Sequence, residues 1–510
     1  MAAAATLTRA AALLAAAAAL ASGEPNGLAR RPQRGWNSWN YEQAFCPDVS
    51  PALCLNETFM VDIVDAVASS GMLAAGYDLI NLSEGWPATA RAPNGSLVAD
   101  PVRFPHGVAW LSDYIHSRGM RFGIYLDVGN LTCAGFPGSF GHEELDVATI
   151  VAWGADYVWL DGCNFAGNAS DYIAIYAHWG SLFNNSGRAI VWEASYPAYQ
   201  LYTSDFDLQY AVSFSHEFRF FDDIRPQWAE IMSLVDYTIA NDIQRIARPG
   251  QYPLIDMLEV GNPGLSLAES RAHFSLWAML AQPLHAGNDV ASMTAEIRDL
   301  LTNPEVLAVD QDPLVRAGWR LNATSALGVR ALNGLTSSPA SASAPASACT
   351  YNHTSGGYFD TARGAAGNLG QFGPGVALAD AEALCCANAQ CAGLSYSAAA
   401  GSGFLKADFA GPWMPSADFD GFDNLQRASN SSATEVYARL LSDASVAVLL
   451  LNRQDAAAAQ VCVRWADVGL NGFAWATVRD LWRRADVGPA LGGFCAQVAP
   501  HDVVMLRVQQ

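Results

Sequence analysis

Eight short apolar runs, each followed by a stretch of helical character, fill residues 35–312 and limit the possible folds more than any other feature. The runs are 36–39, 79–83, 122–127, 157–161, 190–194, 208–215, 255–258 and 284–286. Helical patterns lie between them at 59–69, 108–117, 143–153, 172–183, 228–234 and 267–280. Regular β/α alternation predicts an α/β fold, a (β/α)8 TIM barrel rather than an open sheet. The run Asp156-Tyr157-Val158-Trp159-Leu160-Asp161-Gly162 anchors this reading, because a continuous apolar strand suits a parallel sheet covered on both faces. Asp161 stands at its C-terminal end. In barrels that end carries the chemistry, so Asp161 is either a catalyst or the cap of the next helix. Other polar groups end or follow the runs: Asn37, Asn40, Ser83, Glu84, Asp127, Asp223 and Asp256. Carboxylates gathered on one face repel one another, which a chain tolerates where a site uses them.

After Asp312-Pro313 the period falls to two. Runs at 319–321, 329–332, 435–440, 445–452, 461–465, 477–480 and 503–508 predict a C-terminal antiparallel β-sandwich. A Ser/Ala/Pro linker at 336–348 interrupts it, followed by a Gly-rich segment to 434 carrying Cys349, Cys385, Cys386 and Cys391. The expected division is therefore a leader at 1–23, a barrel at 24–312, a sandwich from 313–335 and 435–510, and a cysteine-rich insert at 336–434. Within the insert, Cys385-Cys386-Ala387-Asn388-Ala389-Gln390-Cys391-Ala392-Gly393 resembles PAN/apple modules, which bind protein or carbohydrate.

A net charge of −21 argues against nucleic acid or an anionic membrane as partner. Residues 1–23 have Arg9, an Ala/Leu run and small residues at Ala21-Ser22-Gly23, the layout of a secretory signal peptide, and no later run is long enough to span a bilayer. Nine Asn-x-Ser/Thr sequons (Asn56, Asn81, Asn94, Asn130, Asn168, Asn184, Asn322, Asn352 and Asn430) and ten cysteines agree with an oxidising secretory route, ending outside the cell or in a lysosome or vacuole. No Cys/His spacing matches a zinc site. The sequence leaves oligomeric state open, a homodimer included.

Several longer motifs point to one family. Gly35-Trp36-Asn37-Ser38-Trp39-Asn40, Asp100-Pro101-Val102-Arg103-Phe104-Pro105, Gly123-Ile124-Tyr125-Leu126-Asp127, Thr132-Cys133-Ala134-Gly135, Asp161-Gly162-Cys163 and Asp310-Gln311-Asp312-Pro313 resemble the α-galactosidase (melibiase) family, which also holds α-N-acetylgalactosaminidases. The resemblance implies a retaining glycosidase acting on an oligosaccharide or glycoconjugate, with no metal or organic cofactor. Asp161 would be its nucleophile and Asp223, in Arg219-Phe220-Phe221-Asp222-Asp223, its acid/base, with Asp222 the alternative if that register is off by one. Trp36, Asp127, Cys133 and Arg219 would shape the pocket. Cys46–Cys54 and Cys133–Cys163 would be disulfides, and parity leaves Cys462–Cys495 for the sandwich.

Where the family usually grips the galactose 4- and 6-hydroxyls with two Asp, this chain has Ser83 and Glu84. Trp159 replaces a Lys two residues before the nucleophile, and Leu254 replaces a carboxylate two residues before Asp256. Small residues at Ser195 and Ala198 resemble the form that accommodates a 2-acetamido group. Losing a charged hydrogen bond to a sugar costs about 1.5–3 kcal/mol, so new contacts must replace the old ones. Three readings follow: a galactosidase or N-acetylgalactosaminidase, a β-L-arabinopyranosidase that uses the longer Glu84 where C6 is missing, and a silent carbohydrate-binding homologue.

Overall fold

The computed structural model describes residues 26–46, 54–200, 208–321 and 434–510, together with the backbone of seven strands between 351 and 427. Eight parallel strands form the first sheet: β1 (Arg34–Asn37), β2 (Leu79–Leu82), β3 (Arg121–Asp127), β4 (Tyr157–Asp161), β5 (Val191–Ala194), β6 (Glu217–Arg219), β7 (Tyr252–Leu254) and β8 (Leu284–Ala286). Their order is β7-β6-β5-β4-β3-β2-β1-β8, and the edges meet through a single bridge, Leu258 to Ala286. Inward-pointing Leu79, Tyr125, Tyr157, Trp159, Val191, Tyr252 and Leu254 fill the interior, as alternation along parallel strands requires.

Two of the expected strands are corrected. Residues 208–215 hold the helix Leu208–Phe214, and β6 is the three-residue Glu217–Arg219 beyond it. Residues 255–258 lie outside the strands; β7 precedes them at Tyr252–Leu254, and Asp256 opens the following loop. Pro253, which lacks an N–H, fits there because β7 is laddered on one side only. The first strand lies two residues earlier than expected, at Arg34–Asn37. Asn37 accepts the Trp39 N–H, ending β1 and starting the helix Ser38–Phe45.

The C-terminal region is a six-stranded antiparallel sheet faced by a two-stranded ribbon. Strand β9 (Trp319–Leu321) precedes the insert strands β10 (Tyr351–Ser355), β11 (Tyr358–Phe359), β12 (Asn368–Phe372), β13 (Gly393–Ser397), β14 (Ser402–Lys406), β15 (Trp413–Met414) and β16 (Phe422–Arg427). Then come β17 (Thr434–Leu440), β18 (Val446–Asn452), β19 (Ala459–Arg464), β20 (Trp475–Asp480), β21 (Ala485–Leu491), β22 (Gly493–Val498) and β23 (Val503–Gln509). The large sheet runs β21-β20-β23-β18-β17-β9, and β19 pairs with β22. Val448, Leu450, Val461, Trp465, Val478 and Leu506 form the core between them. Sequence reading missed β21 and β22, whose outward residues break the apolar alternation. The run at 329–332, the leader at 1–23 and the four insert cysteines lie outside the described residues.

The insert strands form a separate unit, with five in an antiparallel sheet ordered β10-β16-β13-β14-β12 and β11 paired with β15. Apart from residues 232–242, which group with the insert, barrel and sandwich belong together in the other unit. Arg271 on the helix Leu267–Met279 clamps Asp502 through two bonds of 2.8 and 2.6 Å, and Asn303 donates to the Leu481 carbonyl at 3.0 Å. Cys46–Cys54, Cys133–Cys163 and Cys462–Cys495 are disulfides. Asn81 lies fully buried in β2, so that sequon is closed to a glycan once the chain has folded.

Candidate active site

Parallel pairing puts Asp127 opposite Asp161 and Tyr125 opposite Trp159, so four side chains rise from neighbouring strand ends. Asp161 is half-buried at the floor of a cavity of about 380 Å³. Its Oδ1 accepts the Tyr199 hydroxyl at 2.5 Å and the Gly162 N–H at 3.0 Å, and its Oδ2 accepts the Tyr125 hydroxyl at 3.0 Å. Burial raises the Asp161 pKa; the Tyr199 bond opposes this, and the charge of Asp223 adds to it. Gly162 is required here, since a Cβ would stand 2.9 Å from both the Tyr176 hydroxyl and the Tyr199 ring. The Cys133–Cys163 disulfide holds the loops after β3 and β4 beside the carboxylate, with Cys133 Sγ 3.3 Å from Asp161 Oδ2. Acceptor atoms of Asp127, Cys133, Asp161 and Cys163 lie within 4.8 Å of one another, but both sulphurs are spent in the disulfide and offer a cation no thiolate.

The opposite wall comes from the segment after β6. Arg219 ends that strand, and its Nη2 reaches Asp223 Oδ1 at 3.0 Å and Asp256 Oδ2 at 3.1 Å. Asp256 is itself fixed, accepting the Ile224 N–H at 2.8 Å and the Met257 N–H at 2.7 Å. Asp223 projects into the cavity mouth with 77% of its side chain exposed. Asp222 also lines the cavity, and burial together with the charge of Asp223 pushes it up to about 6. Glu84, almost fully enclosed, accepts the Ala134 N–H at 2.7 Å. Burial raises its pKa, while hydrogen bonds from the Thr132 side chain and Ala134 oppose the rise.

Ten of the twelve residues expected at the site line this one cavity: Ser83, Glu84, Cys133, Trp159, Asp161, Ser195, Ala198, Arg219, Asp223 and Asp256. Two do not. Trp36 is wholly buried, packed against Tyr41 and Phe59 with its indole N–H on the Asn288 carbonyl, because the helix that starts at Asn37 places Trp39 on the wall instead. Asp127 is buried beside Asp161 without lining the cavity and organises the loops, accepting the Gly129 N–H at 2.7 Å and the Cys163 N–H at 3.0 Å. Tyr125 and Tyr199, the two hydroxyl donors to Asp161, were missed by sequence reading. Their one signal is position: Tyr125 shares a strand face with Asp127, and Tyr199 follows Ala198.

Residues 31–312 match the family model described as Alpha galactosidase A, and residues 431–508 match the one described as Alpha galactosidase C-terminal beta sandwich domain. The chain belongs to the α-galactosidase A family of glycoside hydrolases. Human Alpha-galactosidase A is 37% identical over 301 residues, covering 58% of this chain and 70% of the human protein. Chicken Alpha-N-acetylgalactosaminidase is 36% identical, covering 58% of this chain and 74% of its own. The match to "Probable alpha-galactosidase A" of Aspergillus clavatus, 38% identical, covers 57% of this chain and spans only 56% of that relative. Among solved structures, α-galactosidase I from Mortierella vinacea shares the fold, with a TM-score of 0.67, 23% identity and coverage of 95% of this chain and 98% of that one. Among the described residues of this α-galactosidase relative, no helix is long and apolar enough to cross a membrane.

The enclosed acids carry a stability prediction. Burial raises the carboxyls of Glu193, of Glu259 (to about 8) and of Asp310 (to about 7). A carboxyl whose pKa is higher folded than unfolded binds more protons in the folded state, so its contribution is full below the unfolded value near about 4 and is lost as pH rises through the folded one. Buried His216, pushed down to about 4, and His273, to about 3, act oppositely, but only below the ordinary histidine pKa of about 6.5. The melting temperature is therefore expected to fall from about pH 6.5 to about pH 8. Calorimetry across that range checks it; a rising melting temperature contradicts the assignment.

Proposed function

We propose that this chain is a retaining, exo-acting glycosidase of terminal α-D-galactosides, the 2-acetamido form included, with Asp161 as nucleophile and Asp223 as acid/base. The observation that carries the reading is the placement of the two acids. One is braced by three donors on the cavity floor, and the other is exposed at the mouth on the facing wall, near enough for its charge to raise the first. In the first step an Asp161 oxygen bonds to the anomeric carbon as the glycosidic bond breaks, and Asp223 passes its proton to the departing oxygen. In the second, Asp223 takes a proton from water, whose oxygen bonds to the anomeric carbon and frees Asp161. Two inversions give net retention, which calls for carboxyl groups about 5–5.5 Å apart. The three donors disperse the charge on Asp161 and leave one lobe of Oδ2 to the sugar.

Glu84 favours a second reading. β-L-Arabinopyranose matches α-D-galactopyranose at every ring position and lacks only C6, and a pinned, buried Glu84 on the wall supplies one methylene more than the Asp it replaces. Nitrophenyl α-D-galactoside, α-N-acetyl-D-galactosaminide and β-L-arabinopyranoside decide the matter. Glu84→Asp is expected to raise the ratio of galactoside to arabinopyranoside kcat/KM by about tenfold or more, the worth of one methylene in a fitted pocket. An unchanged ratio removes Glu84 from sugar selection; release of none of the three sugars by the parent enzyme removes both readings. We infer that the protein enters the secretory pathway, in keeping with the leader expected at 1–23, its disulfides and a stability expected to fall as pH rises past about 6.5.

A further inference from the structure

Glu193, next to last in β5, is fully buried, and neither catalytic role above uses it. Its Oε1 and Oε2 lie 3.2 and 3.0 Å from Ser195 Oγ, and Oε1 also accepts the Arg219 backbone N–H at 3.0 Å. Ser195 lines the cavity, while Arg219 holds both Asp223 and Asp256 with its guanidinium. One carboxyl thus fixes a hydroxyl on the wall and the root of the arm bearing the proposed acid/base. A carboxyl is costly to enclose, and burial pushes this one well above its usual range while the charge of Arg219 pulls it back. An apolar side chain would fill the same space without that cost, which singles out the hydrogen bonds as the reason for a Glu here.

Strand order says what Ser195 faces. Asp161 ends β4 and Asp223 follows β6, so the end of β5 lies between them, beside the anomeric carbon. The neighbour of that carbon with a substituent to hydrogen-bond is C2. We propose that Glu193 is a positioning residue for recognition at C2: it holds Ser195 against the 2-substituent and ties that contact to the Arg219–Asp223 arm. The inference rests on the reading of the cavity as a subsite for a galacto-configured pyranose.

The test is calorimetric binding of D-galactose, N-acetyl-D-galactosamine, L-arabinose and their 2-deoxy counterparts to the full chain, with kcat measured in parallel. The parent protein is expected to bind at least one parent sugar about tenfold or more tightly than its 2-deoxy form, because a site built around a hydroxyl rejects the analogue that lacks it. Glu193→Ala is expected to bring that ratio to near one and to lower kcat, leaving affinity for the 2-deoxy sugar within about threefold, as for loss of one weak contact. Glu193→Gln keeps an oxygen for the Arg219 N–H and is expected to restore most of kcat. A residue of merely structural importance would weaken both sugars alike. Should Glu193→Ala fail to fold, Ser195→Ala takes its place and must also abolish the ratio. A ratio retained in a folded Glu193→Ala or Ser195→Ala protein overturns the inference, as does a ratio near one in the parent. Parent sugars that bind without 2-deoxy discrimination sink this inference alone; failure of D-galactose, N-acetyl-D-galactosamine and L-arabinose alike to bind sinks the substrate reading with it.

Discussion

Asp161→Asn is expected to lower kcat by on the order of 10⁴-fold or more while leaving galactose affinity within a few-fold, the pattern for loss of a nucleophile without loss of the pocket. The amide keeps an oxygen where Oδ1 accepts from Tyr199 and Gly162, and its NH2 can donate to the Tyr125 oxygen in place of accepting from it. The side chain therefore stays put, and what is removed is the lone pair that would bond to the anomeric carbon. Turnover of a nitrophenyl glycoside, paired with calorimetric binding of the free sugar, separates the two effects. A fall in kcat below about tenfold with binding intact would take the nucleophile's role away from Asp161, because an enzyme that has lost the group forming its covalent intermediate cannot keep nearly all of its turnover.

Much of this site was legible because its strands announce themselves. β4, and β3 beyond Arg121, are apolar runs ending in Asp, and a barrel delivers such ends to one face. β6 was not legible. The apolar run at 208–215 is a helix, Leu208–Phe214, that buries Ala211 and Val212, while the true strand, Glu217-Phe218-Arg219, has charged residues at both ends. Glu217 is acceptable inside the barrel because the Tyr157 hydroxyl donates to it at 2.8 Å and His285 meets it at 3.0 Å. These partners come from β4 and β8, and no local window contains them. Trp36 and Trp39 illustrate the same limit. Their spacing suits either as the pocket aromatic, and only the cap at Asn37 decides that Trp39 faces the cavity. Glu193 reads as one more strand residue until the fold brings Ser195 and Arg219 to it. Residue identity named the catalytic candidates; the hydrogen-bond partners that brace them depend on distant segments meeting.

Asp223→Asn is expected to separate substrates by their leaving groups. For alkyl or sugar aglycones, whose oxygen must be protonated to leave, kcat/KM should fall by about 10²–10⁴-fold, the usual worth of a general acid. For a dinitrophenyl glycoside, which departs as a stable anion, the first step needs no proton and should proceed at near the parent rate. Hydrolysis of the glycosyl-enzyme then stalls, because water has lost its general base; a burst of phenolate followed by a slow steady state should appear. Azide, a nucleophile that needs no deprotonation, is expected to relieve the stall and yield the glycosyl azide with retained configuration. Asp222 supplies the control, since it lines the same cavity one residue away and is raised to about 6, a value that would itself suit an acid catalyst. Asp223, however, is the carboxyl held by Arg219 at 3.0 Å, whereas Asp222 meets that guanidinium through its backbone carbonyl at 2.9 Å. Asp222→Asn should therefore show neither the leaving-group dependence nor azide rescue. If it shows both and Asp223→Asn shows neither, the acid/base role passes to Asp222, and the guanidinium must be holding Asp223 as a fixed counter-charge.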